Sequence, residues 1–146
     1  MHVLKQIPLV FVMLMLIATA AGAAERMAIA AGTANVRSGP GTKHDQLWQV
    51  EKYYPVMVVE KKSGWCRIKD FEGDEGWIES SLLDKTNTVI VRVPKCNVRS
   101  GPGTEHETLF SVTKGIPFKV LQTKGQWLQV EHADGDAGWV LKNLVW

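Results

Sequence analysis

Apolar positions along this chain come in short runs with a period of two, and no stretch of ten or more residues shows a 3.6-residue period. Val89-Ile90-Val91-Arg92-Val93 is β-branched and Cys96-Asn97-Val98-Arg99 alternates apolar with polar, so both predict strands. Pro55–Glu60 and Trp65–Lys69 read the same way. Ser-Gly-Pro-Gly at 38–41 and 100–103 interrupts the pattern, because glycine opens dihedrals closed to other residues and proline fixes its own. Residues 71–75 and 133–137 predict hairpin turns, with Asp134-Gly135 the clearest signal, and Gly76-Trp77-Ile78 and Gly138-Trp139-Val140 predict the strands that return from them.

These elements occur twice. Asn35-Val36-Arg37-Ser38-Gly39-Pro40-Gly41-Thr42 returns as Asn97-Val98-Arg99-Ser100-Gly101-Pro102-Gly103-Thr104, and the offset of 62 then holds without a gap to Leu82 and Leu144. Between Asn35 and Leu82, 21 of 48 positions match their counterparts, so the chain is a tandem duplication. Asp84–Thr88 is the polar stretch between copies, which places one unit at 24–84, a linker at 85–88 and a second unit at 89–146. Five short strands per unit of about 57 residues predict an all-β chain of two small, highly curved barrels, a closure that removes exposed sheet edges. A unit this small is near the lower limit for independent stability, which gives the copies reason to pack together.

The first 23 residues do not fit this pattern. Lys5 precedes the apolar run Leu9–Ile17, and Ala21-Gly22-Ala23 has the small-x-small form of a signal-peptidase site, so 1–23 is expected to be a cleaved signal peptide. The run is short for a membrane span, so cleavage is the leading expectation and an uncleaved membrane anchor the alternative, and no membrane attachment is expected after cleavage. The mature protein is then expected to be periplasmic or secreted. After cleavage 16 basic residues face 15 acidic ones, a balance that argues against a nucleic-acid partner held by phosphate neutralisation.

Asn-Val-Arg-Ser-Gly-Pro-Gly-Thr-x-His, the later Trp65 and Trp127, and the Gly-Trp strands at 76–77 and 138–139 together resemble the bacterial SH3 domain family. The resemblance covers residues 29–83 and 91–145. It implies two tandem SH3-like β-barrels outside the cytoplasm. It also implies recognition of cell-wall material, commonly short peptides of peptidoglycan, often beside a wall hydrolase domain.

The residues that catalysis would need are not in place for it. Cys66 is in phase with Ile68 and Cys96 with Val98, so both thiols are expected in separate cores, reduced, too far apart for a disulfide and poor as nucleophiles. There is no Ser elbow and no His-Glu-x-x-His zinc helix, and Glu72, Asp74, Asp134 and Asp136 read as hairpin-turn residues. The three histidines beyond residue 23 are too scattered to suggest a metal site. The reading is a non-catalytic binding protein without cofactor or metal.

Ten residues are candidates for the binding surface. Trp65 and Trp127 have the strand phase opposite to the core residues, which suits either a ligand platform or a patch for the neighbouring unit. Asn35, Arg37, Asn97 and Arg99 alternate outward. They suit either hydrogen bonds to a peptide and its carboxylate or the bracing of the adjacent Gly-Pro-Gly turn. His44 and His106 follow that turn, where the family carries a ring beside its groove, and a loop-stabilising role is the other reading. Trp48 and Phe110 are expected as further exposed aromatics. Tyr53-Tyr54 becomes Gly115-Ile116 in the second copy, so the two faces are not equivalent. The leading expectation is recognition of a peptidoglycan peptide or other short extended peptide. The alternative is an adaptor that localises or regulates a separate cell-wall hydrolase.

Overall fold

The computed structural model describes residues 23–146. The apolar run and most of the cleavage motif expected of a signal peptide lie outside the described residues. The first copy contains β1 (Glu25–Ile29), β2 (Thr33–Arg37), β3 (Gln46–Glu51), β4 (Pro55–Lys62), β5 (Trp65–Lys69), β6 (Glu75–Glu79) and the short β7 (Leu83–Asp84). The second contains β8 (Thr88–Ile90), β9 (Lys95–Arg99), β10 (Thr108–Thr113), β11 (Pro117–Lys124), β12 (Trp127–Glu131) and β13 (Ala137–Leu141). A single 3-10 turn follows β6 at Ser80–Leu82 and β13 at Lys142–Leu144.

Each copy forms one antiparallel sheet, in the order β3-β2-β6-β5-β4-β1-β7 and β10-β9-β13-β12-β11-β8. The orders coincide once copies are aligned, and a single bridge between Val91 and Val145 stands where β1 pairs with β7. Thr88, the last residue of the expected linker, begins β8 and is buried, because its backbone pairs with Lys119 of β11.

Alternation along these strands builds two separate cores. Val36, Val56, Ile68 and Ile78 lie in the first, and Val98, Phe118, Val130 and Val140 in the second. Each such side chain contributes roughly 1.5–3 kcal/mol by leaving water. The copies fill similar space with different residues. Ile29, Ile68 and Ile78 shrink to Val91, Val130 and Val140, while Val56 and Cys66 are replaced by the larger Phe118 and Leu128. Losses and gains of volume offset each other, the kind of change a core tolerates. Cys66 and Cys96 are both buried and unpaired, one in each core.

Each sheet has β-bulges at equivalent places. In β3 and β10 the register slips past Leu47 and Leu109, and in β11 it slips past Leu121. An extra residue at a bulge is turned out of the alternation. These three are the exposed large hydrophobics of the described residues, at 50%, 49% and 44% exposure.

The copies touch mainly through residues the duplication does not share, Lys114 with its counterpart Lys52 being the exception. One Nη of Arg26 donates to the main-chain oxygens of Thr88 and Trp146, both at 3.0 Å, and its guanidinium lies 4.2 Å from the centre of the Trp146 ring. Lys114 pairs with Glu72 at 3.3 Å, and His132 Nε2 lies 3.4 Å from Glu51 Oε1.

Candidate functional site

In β9 the core takes Cys96 and Val98, so Lys95, Asn97 and Arg99 share the outward face. β13 lies beside β9 through the pair Trp139–Arg99, and β12 lies beside β13 through the pair Trp127–Leu141. That order brings Asn97, Arg99 and Trp127 into one shallow groove of about 120 Å³, with Lys95, Thr104, Leu141 and Leu144 completing its walls. Three of the residues singled out in the sequence therefore meet, although 28 positions separate Asn97's neighbour Arg99 from Trp127. Lys95, Leu141 and Leu144 were not among the candidates. Lys95 was within reach of the same alternation that singled out Asn97 and Arg99.

The side chains of this face also have structural duties. Arg99 Nη1 donates to the carbonyls of Thr104 (3.1 Å) and His106 (3.0 Å), and Arg37 Nη1 does the same to Thr42 (3.2 Å) and His44 (3.0 Å). Both arginines brace the Gly-Pro-Gly loop from inside its curve. Asn97 Oδ1 accepts from Ser111 Oγ at 2.8 Å, and Asn35 Oδ1 accepts from Gln49 Nε2 at 3.1 Å. His44 and His106 fold back onto their loops: a Cβ on Gly39 or Gly101 would sit 2.6 Å from the nearest imidazole atom. These glycines are there for the ring to lie flat against the turn.

The remaining candidates lie elsewhere. Trp65 is half-buried at the start of β5, opposite Lys62 and Glu79. Trp48 and Phe110, expected as exposed aromatics, are half-buried and packed against the two cores. The bulges explain this: Leu47 and Leu109 take the outward position, so the following aromatic turns in. Phe110 lines a second hollow, of about 270 Å³, with Ile116, Phe118 and His132. A crevice of about 410 Å³ between the copies is walled by Gln49, Glu51 and Tyr54 on one side and Gly115 and Ile116 on the other.

Position 70 and its counterpart 132 show how the copies diverged around those hollows. Asp70 Oδ1 accepts the backbone N–H groups of Glu72 (3.0 Å) and Asp74 (2.9 Å), and Oδ2 accepts from Tyr54 at 3.2 Å. Burial, and after it the Asp70 charge, push the Tyr54 hydroxyl well above the usual phenol range. His132 holds the equivalent hairpin and has Asp134 Oδ1 at 3.0 Å from Nδ1. Partial burial alone would lower its pKa, but Asp134 and Glu51 outweigh that and raise it. Burial pushes the Cys96 thiol up to about 11, which keeps it protonated and unreactive at neutral pH. Among the described residues no three His, Cys, Asp or Glu side chains gather as a metal site.

Comparison with known proteins agrees with this architecture. The model of the family described as "Bacterial SH3 domain" matches residues 30–85 and again 92–146. The chain is 28% identical over 128 residues to the Bacillus subtilis (strain 168) protein named "Putative N-acetylmuramoyl-L-alanine amidase YrvJ", covering 80% of this chain and 24% of that protein. It is 31% identical over 61 residues to the "Probable cell wall amidase LytH" of Staphylococcus epidermidis, covering 41% of this chain and 21% of that protein. It thus spans about a quarter of the curated relatives it matches. Among solved structures, NlpC1 from Trichomonas vaginalis is 12% identical with a TM-score of 0.38, over 84% of this chain and 45% of its own. An NlpC/P60 family protein from Bacillus cereus ATCC 10987 is 17% identical with a TM-score of 0.41, over 84% and 56%. Overall likenesses this low have no bearing on function. The family match spans both copies, each with its loop, its Trp and its Gly-Trp strand in register, and the chain belongs to the bacterial SH3 domain family as two tandem copies.

Proposed function

We propose that this is an exported, non-catalytic binding protein whose two sheets curl into SH3-like barrels and hold a short extended peptide of the cell wall. The observation that carries the reading is the convergence of Asn97, Arg99 and Trp127 on one groove of the second copy. An indole offers a flat apolar platform, while an Asn amide supplies both a donor and an acceptor to a peptide backbone. The similarity to a protein named a probable cell wall amidase supports the wall as the place of action. The two thiols are buried, one per core, so neither is an accessible nucleophile. No helix among the described residues is long and apolar enough to cross a membrane.

Co-sedimentation with purified, protein-free peptidoglycan tests this. The protein should pellet with the wall, and Trp127→Ala should release it while leaving its thermal unfolding cooperative. Retention of Trp127→Ala at the wild-type level would refute the groove assignment.

The adaptor reading draws on a different surface. Leu47, half exposed on its bulge, lines a hollow with Trp77, Arg67 and Glu75 on the first copy. An apolar patch rimmed by charges of both signs suits a folded protein partner such as a separate wall enzyme. Failure to pellet with the wall, together with recovery of one stoichiometric polypeptide that Leu47→Asp abolishes, would favour it.

A further inference from the structure

The two copies share the Asn-x-Arg stripe and the tryptophan, but not the charge around them. In the second copy the outward face of β9 reads Lys95, Asn97, Arg99, and the groove they line contains two cations and no carboxylate. The ion pairs of the described residues leave Lys95 without a carboxylate partner. In the first copy Thr33 replaces Lys95 and Glu79 replaces Leu141, so the corresponding positions hold one cation, Arg37, and one acid. Arg99 also commits Nη1 to its loop, which fixes its charge in place beside the groove.

The groove is small as well as positive. A volume of about 120 Å³ equals about four water molecules at the ~30 Å³ each occupies in the liquid. That is the scale of one small residue and its terminal group. Trp127 and Leu141, opposite each other across β12 and β13, provide the apolar wall for such a residue. Lys95 and Arg99 provide the counter-charge for an anion at its end.

Building on the wall-peptide reading, we propose that the second copy alone binds the free carboxylate end of a wall stem peptide. Lys95 is the charge that selects the carboxylate and Trp127 the platform for the residue that bears it. The first copy, with Glu79 at this place, repels the same group.

The test uses diacetyl-Lys-D-Ala-D-Ala as the free acid and as its C-terminal amide, titrated against the whole protein. Wild type should bind the acid about fivefold more tightly than the amide, the size expected of a partly exposed charge pair. That preference should shrink between 0.1 and 1 M salt, as the screening length falls from about 10 to 3 Å. Lys95→Thr, which installs the first copy's residue, should lose most of the preference and leave only what Arg99 supplies, and Trp127→Ala should lose both forms. Equal binding of acid and amide by wild type, with both lost in Trp127→Ala, would overturn the carboxylate assignment and leave the wall-peptide reading standing. Binding of neither form would overturn the inference too, and pelleting with purified wall would then show whether the broader reading survives. If the all-L isomer binds as tightly as the D-Ala-D-Ala form, the occupant is a protein C-terminus and the wall source is refuted.

Discussion

Thr88 shows how much one atom can weigh in this protein. Its side chain is buried and its Oγ1 has no hydrogen-bond partner, while its carbonyl is satisfied by Arg26 across the copies. A buried hydroxyl without a partner costs about 1–3 kcal/mol. Thr88→Val keeps the branched shape suited to β8 and removes that hydroxyl. It should therefore raise stability by about 1 kcal/mol in urea unfolding, whereas a loss would mean that the hydroxyl is satisfied. Tyr53 is a second strained position: it holds φ at 72°, a region its counterpart Gly115 occupies at 92° without a side chain to resist it. At this scale the sequence was readable in part. The outward phase of Asn97, Arg99 and Trp127 followed from alternation alone. The flat packing of His106 on Gly101 did not, because it depends on how the loop closes in space.

At the scale of elements, β2 and β5 and their copies were legible because they alternate buried and outward positions, while β4 and β6 were legible from β-branched runs and from the Gly-Trp that follows a hairpin turn. β3 and β10 were not among the expected strands. Their bulged leucines place an apolar side chain in an outward position beside an inward-turned aromatic, so Leu47-Trp48 and Leu109-Phe110 break the apolar-polar alternation of the sequence. The same slip turned Trp48 and Phe110 inward, against expectation. Close approach of β9 to β13 makes a stricter demand. A Cβ on Gly138 would lie 2.6 Å from Val98 Cγ1 and 2.8 Å from the Arg99 carbonyl. Neither neighbour can retreat easily, since one is core and the other is backbone. Gly138→Ala should therefore destabilise the second copy by about 1–3 kcal/mol and push β13 from β9, with lost amide protection at Arg99 as its local sign. Protection equal to wild type would show that the strands have room to spare.

For the whole molecule, the contacts between copies matter because they set how the two outward faces are presented together. They involve Arg26, Glu51, Glu72, Lys114, His132 and Trp146, and of these only Lys114 has an identical counterpart in the other copy. No duplication argument could have paired them. His132 has carboxylates on both ring nitrogens, Asp134 in its own copy and Glu51 in the other, and can donate to both only when protonated. The Asp134 amide also approaches Nδ1, but at 3.4 Å it is more distant than the carboxylate at 3.0 Å. The His132 pKa is raised in the folded protein above the usual ~6.5. Its contribution to stability is therefore fully present below about pH 6.5 and is lost as pH rises through the raised value. His132→Gln should remove this dependence. Between about pH 6 and 8.5, wild type should lose up to about 1 kcal/mol more stability than the variant, read by urea unfolding. Parallel pH profiles would mean that neither the Asp134 nor the Glu51 contact to His132 contributes in solution.

The second copy, as proposed, holds a wall peptide in the groove between β9 and β12. The most direct measurement is backbone and indole amide mapping by NMR as soluble wall muropeptides are added to the whole protein. Shifts should concentrate at Lys95, Asn97, Arg99, Leu141 and the Trp127 indole, with the matching face of the first copy unmoved. Shifts confined to the Leu47 and Trp77 surface, or none at saturating peptide, would contradict this.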